Sequence, residues 1–131
     1  MLDENCLFCK IIKGDIPSYT VCETDNVKVF MDINPMAKGH LLVIPKEHYT
    51  NLFDIDNDTL RKIDDVIREI YPKLKEKLGA EGVTRLQNNE LGQEVKHYHM
   101  HLVPRYKGDS FVETINEEAK NSIEETFEAL K

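Results

Sequence analysis

The chain has 131 residues, of which 40% are hydrophobic and 31% charged, the balance of one soluble globular domain with enough apolar residues for a real core. A net charge of −7 without a basic run speaks against binding a nucleic acid polymer, which needs several lysines or arginines set against phosphates. No apolar run approaches the roughly 20 residues of a membrane span, and the opening MLDENCLFCK has neither the basic start nor the apolar stretch of a secretory signal, so the expected compartment is the cytoplasm. Three cysteines in such a compartment argue against a disulfide framework. Cys6 and Cys9 form a C-x-x-C pair, while Cys22 reads as a small buried hydrophobe.

In chain order, FCKIIKGDIP predicts a short helical turn that stops at Gly14, with Pro17 marking an extended exit. YTVCET and NVKVFMD read as two strands joined by a tight turn at Asp25 and Asn26. LLVIP, residues 41–45, is wholly apolar and suits a central strand covered on both sides. Leu60, Ile63, Ile67, Ile70, Leu74 and Leu78 then recur at helical steps, with acidic capping candidates in DIDND, Gly79 as the C-terminal cap, and Pro72 expected to bend or weaken the last turns. VTRLQN and HYHMHLV are the remaining strands. A final helix over roughly 116–130 puts Ala119, Ile123, Phe127 and Leu130 on one face; Glu117, Glu118, Glu124 and Glu125 form a solvated face or a partner surface. The order predicts an α+β fold, a mainly antiparallel five-stranded sheet with a long helix and a C-terminal helix, as one domain over residues 1–131.

The run HYHMHLVPR holds three of the five histidines, at alternating positions. In a strand, alternate side chains share a face about 6.6 Å apart, so His97, His99 and His101 form one imidazole row and Tyr98, Met100 and Leu102 turn to the core. Imidazoles without partners are poor core material, because each carries a donor and an acceptor. Two chemistries remain open. Three histidines can hold one catalytic zinc, or one imidazole can attack phosphorus while a neighbour protonates the leaving group.

HYHMHLVPR preceded by GQEV resembles the signature of the histidine triad (HIT) family, His-φ-His-φ-His-φ-φ with φ apolar. CLFCKIIKGDIP, FMDINPMAKGHLLVIPKEH and LQNN are similar to their counterparts in its Hint-like, nucleotide-phosphoramidase branch. The resemblance implies that His99 is the nucleophile toward the α-phosphorus of a nucleotide, forming a nucleotidyl-histidine intermediate that water resolves to the nucleoside monophosphate. His101 would contact the phosphate and protonate the leaving group. A histidine rather than a glutamine at that position favours hydrolysis over transfer between sugars.

By the same resemblance, Gly92, Gln93 and Val95 belong to a loop that wraps the phosphate, Asp32 holds the ribose hydroxyls, and Ile33 lines the base pocket. Asn88 matches a phosphate-side asparagine, although the stretch from Asn88 to Gly92 is shorter than the family's, which makes Asn89 the other candidate. His40 is a supporting histidine. Cys6, Cys9, His48 and His97 match a structural zinc site, a closed set of two thiolates and two imidazoles. The implied function is hydrolysis of nucleoside 5′-phosphoramidates or related conjugates with purine preference, by a homodimer that joins sheets and packs the long helix. The alternatives are a dinucleoside polyphosphate hydrolase and a nucleotide-binding scaffold with slow catalysis.

Overall fold

A computed structural model describes residues 2–110 and 122–131. Helix α1 (Leu7–Lys13) begins at Cys6, whose Sγ accepts the Cys9 N–H at 3.3 Å, and ends at Gly14. Gly14 supplies the left-handed conformation, φ 87°, that lets its N–H reach back to the last carbonyls. Strands β1 (Thr20–Glu23) and β2 (Val27–Met31) follow, and the Thr24 hydroxyl accepts the N–H groups of Asn26 and Val27 across the turn. β3 (Leu41–Pro45) is buried along its whole length. Helix α2 (Asn57–Leu78) starts at Asp56 and stops at Gly79, and β4 (Gly82–Leu86) and β5 (Met100–Arg105) complete the sheet. A short helix α3 (Ile123–Ala129) is capped by the Ser122 hydroxyl, which accepts the Glu125 N–H.

The five strands form one antiparallel sheet in the order β1-β2-β3-β5-β4, so the last strand in sequence lies inside and β4 forms an edge. Strand alternation gives the sheet two apolar faces. Val27, Val29, Leu41, Val43, Tyr98, Met100 and Leu102 pack under α2 against Ile63, Val66, Ile67, Ile70 and Leu74. Phe30, Leu42 and Ile44 face the other way and pack under α1 with Phe8, Cys9 and Ile11. Burial of each such large side chain contributes about 1.5–3 kcal/mol, so the five inward residues of α2 dominate what holds that helix. Cys22 is half-buried and packs against the α2-side core.

α2 is continuous through Pro72 to Leu78; the ring and the carbonyl it deprives of a partner lie on the solvent side, while Ile70 and Leu74 anchor the inward face. Two expectations need correction. The histidine run is not strand throughout, because β5 begins only at Met100. Before it, the Tyr98 N–H is donated to the Tyr49 carbonyl at 2.7 Å and the His97 carbonyl is taken by the His99 ring, so neither joins the ladder. Among the described residues the last helix is α3, from Ile123; residues 116–121 of the expected helix, with Glu117, Glu118 and Ala119, lie outside the described residues. Ile123, Phe127 and Leu130 are exposed rather than packed on the sheet.

Candidate active site and metal cluster

The α1 face of the sheet carries a pocket of about 650 Å³. Leu7, Phe8 and Ile11 from α1, together with Phe30 and Leu42, form apolar walls, and the polar groups gather at one end. Asp32, Ile33 and His40 come from the β2–β3 connection, Asn88, Gly92 and Val95 from the loop after β4, His99 from the residue just before β5 and His101 from its start. All of these line the pocket; of the predicted pocket residues only Gln93 does not. The Gln93 side chain is 5% exposed and braces the loop from beneath. Its Nε2 donates to the Thr50 carbonyl at 2.6 Å and its Oε1 accepts the Glu90 N–H at 3.3 Å. Asn89 is likewise spent on structure, accepting the Leu52 N–H at 2.8 Å and pairing with Gln87. Asn88 is therefore the asparagine that faces the pocket.

Hydrogen bonds to carbonyls fix the histidine tautomers, since a carbonyl oxygen only accepts. His99 Nδ1 lies 2.7 Å from the His97 carbonyl, so Nδ1 carries the proton and Nε2 keeps its lone pair. His40 Nδ1 accepts the Met36 N–H at 3.0 Å, which leaves a proton on Nε2 to donate to His101 Nδ1 at 3.0 Å. His101 consequently presents an Nε2–H. The His99 and His101 rings sit 5.0 Å apart, one with a free lone pair and the other with a donor. Asp32 backs them: its Oδ1 accepts the Asn34 N–H at 2.8 Å, and its Oδ2 lies 3.5 Å from His40 Nε2 and 3.8 Å from His101 Nδ1.

Burial is the largest influence on these imidazoles and disfavours their charged forms. His99 and His101 are both held below the ordinary histidine value by burial, with Asp32 and Glu94 partly opposing it. Burial also lowers His40, against the pull of Asp32. Glu94 was not among the residues singled out from sequence, although it stands in GQEV between two that were.

The second cluster lies beneath the first. Cys6, Cys9, His48 and His97 converge, with all four ligand atoms within 4.8 Å of one another. His97 is fully buried and donates Nε2–H to the Pro45 carbonyl at 2.9 Å, so its Nδ1 lone pair points to Cys6 Sγ at 3.4 Å and Cys9 Sγ at 3.5 Å. His48 Nδ1 lies 3.3 Å from Cys9 Sγ. Bonds of about 2.0 Å to nitrogen and 2.3 Å to sulfur imply ligand-to-ligand edges near 3.6 Å in a tetrahedron, so the donor set fits a tetrahedral cation with little rearrangement. Without a cation, burial pushes the Cys6 thiol up to about 11 and His97 down to about 4. A cation would reverse that preference at the thiols by favouring thiolate.

The HIT domain model matches residues 13–108. The chain is 41% identical over 128 residues to an uncharacterised HIT-like protein of Methanocaldococcus jannaschii, covering 96% of this chain and 98% of that protein. It is 42% identical over 107 residues to an adenosine 5′-monophosphoramidase of Candida albicans, covering 77% and 70% of the two. A solved structure of a zinc-bound histidine triad family protein from Mycobacterium smegmatis matches with a TM-score of 0.78 at 34% identity, over 86% of this chain and 84% of that one. With this fold, this histidine arrangement and these relatives, the chain belongs to the HIT domain family, in its Hint-like branch.

Proposed function

We propose that the protein is a nucleotide hydrolase that cleaves nucleoside 5′-phosphoramidates at the α-phosphorus through a nucleotidyl-His99 intermediate. The observation that carries this is the tautomer pair: an unprotonated His99 Nε2 beside a His101 donor at the polar end of an apolar-walled pocket. The base packs between α1 and Ile33, a slot that suits a purine, and Asp32 takes the ribose hydroxyls on its remaining lone pairs. Asn88 and the backbone of the Gly92–Val95 loop donate to the phosphate oxygens, where fixed dipoles stabilise the developing charge. Gly92 adopts φ 95°, which lets that backbone turn toward the pocket without the strain a side chain would add.

The bound phosphate's negative charge draws a second proton onto His101 Nδ1, and the His40 Nε2–H that this displaces turns to Asp32 Oδ2, 3.5 Å away, which balances both rings. His99 Nε2 bonds to phosphorus as the P–N bond breaks; the electron pair goes to the amine nitrogen, which takes the Nε2 proton of His101. Water then attacks phosphorus, His101 accepts its proton, and the P–Nε2 electron pair returns to His99. Every proton given in the first half is recovered in the second. Purified protein should release AMP from an adenosine 5′-phosphoramidate, and His99→Ala should lower kcat by about three orders of magnitude or more. Comparable turnover by the variant would refute the nucleophile.

Cys6, Cys9, His48 and His97 hold a structural zinc in this reading, supported by their spacing and donor chemistry. All four positions are filled by protein, so the ion has no open site for substrate. The protein acts in the cytoplasm as a homodimer that joins its sheets across β4, the edge strand, with α2 packed alongside.

A further inference from the structure

The charge inventory of the pocket is lopsided. Its lining carries two carboxylates, Asp32 and Glu94, and no lysine or arginine. Lys96, close by in sequence, is turned into its own loop, where Nζ donates to the carbonyls of Glu90 at 3.2 Å and Gln93 at 2.8 Å. Asp32 accepts the Asn34 N–H and stands beside His40 and His101, and in the reading above its remaining lone pairs take the ribose. Glu94 is exposed, and among the described residues no hydrogen bond or ion pair engages its carboxylate. Its charge nevertheless reaches both His99 and His101.

The position of Glu94 is fixed rather than incidental. The Gln93 side chain ties the loop to Thr50, and Lys96 staples the loop to itself three residues on. Glu94 therefore stands at the rim beside the two imidazoles, on the same loop that lines the pocket with Gly92 and Val95. A polyphosphate leaving group would bring several negative charges to this rim, and sites for such groups carry lysine, arginine or a divalent metal. A phosphoramidate brings one negative charge at phosphorus and whatever charge its amine arm carries.

We propose that Glu94 is a specificity residue for the leaving group, favouring conjugates whose amine bears a positively charged arm over those with neutral, anionic or polyphosphate arms. This rests on the phosphoramidase reading above. Glu94 touches neither the breaking P–N bond nor the attacking nitrogen; it acts on the arm that extends past the rim as the nitrogen departs with the proton of His101. An exposed carboxylate exerts a modest pull, so the expected discrimination between cationic and anionic arms is roughly tenfold at low salt, shrinking as salt screens it.

The test uses three adenosine 5′-phosphoramidates of equal arm length, ending in an ammonium, a methyl and a carboxylate group. With wild type, kcat/KM should fall in that order; in Glu94→Gln the spread should collapse toward unity, and in Glu94→Lys the order should invert. Turnover of all three with the same ranking in wild type and both variants overturns this inference alone. Absence of turnover on every conjugate overturns the proposed function, and the inference with it.

Discussion

His97 serves two centres with different atoms. Its ring joins the cysteines through Nδ1 and the Pro45 carbonyl through Nε2, while its own carbonyl holds the proton of His99. Burial lowers its pKa to about 4, against about 6.5 in an unfolded chain. The folded state thus prefers the neutral ring, and this preference is fully present above pH 6.5 and lost as pH falls from 6.5 toward 4. A shift of that size corresponds to about 3 kcal/mol, and the lowered His99, His101 and His40 push the same way. Metal-free protein should therefore show a clearly lower urea midpoint at pH 4.5 than at pH 7.5; equal midpoints would contradict the account. The alternation in HYHMHLV revealed which side chains share a face, and Phe8 does pack edge-on against both His97 and His99. It did not reveal which nitrogen is protonated. That depends on carbonyls placed by the fold, such as Pro45, whose position no local pattern encodes.

At the scale of elements, α1 is the segment most in need of outside support. Helices of seven residues are marginal in water, and α1 is capped by one cluster cysteine, Cys6, and carries the other, Cys9, in its first turn. In the zinc-bound form proposed above, occupation of the cluster would clamp this helix against β3 and the His97 segment, and with it the Phe8 and Ile11 wall of the pocket. Stripping the metal with a chelator should lower Tm by several degrees and speed amide exchange in α1 far more than in α2. Identical exchange in α1 with and without chelator would rule the clamp out. α2 could be read directly from its apolar stripe, because local spacing and burial agree along the whole helix. The sheet order could not, because β5 returns from the edge to pair with β3, a contact between Leu41 and Leu102 that no local pattern encodes. Gly39 shows the same limit. It adopts φ 84°, and a Cβ there would lie 2.6 Å from Leu78 Cδ1. The left-handed backbone alone calls for glycine beside His40, and Leu78, at the end of a distant helix, closes the remaining space.

The whole molecule divides its labour between the two faces of one sheet. The α2 face holds the larger core, and the α1 face holds both the pocket and the cluster of Cys6, Cys9, His48 and His97. The edges differ as well: β1 carries a bulge and is largely exposed, whereas β4 is regular and half-buried along most of its length. An irregular edge resists pairing and a regular one invites it, which is why the proposed dimer runs through β4. Sedimentation at micromolar concentration should give twice the chain mass of 15.2 kDa, and a purely monomeric species would remove β4 as the joint.

The single peptide unit of His97 also has a thermodynamic consequence. Whatever orders its ring also orders its carbonyl, so occupancy of the cluster and occupancy of the pocket are linked equilibria. Linkage is reciprocal: any factor by which the cation tightens nucleotide binding is the factor by which nucleotide tightens the hold on the cation. In the proposed zinc-bound nucleotide hydrolase, positive linkage would make a protein saturated with substrate the last to surrender the ion when it is scarce, and a protein starved of the ion the first to lose its nucleotide.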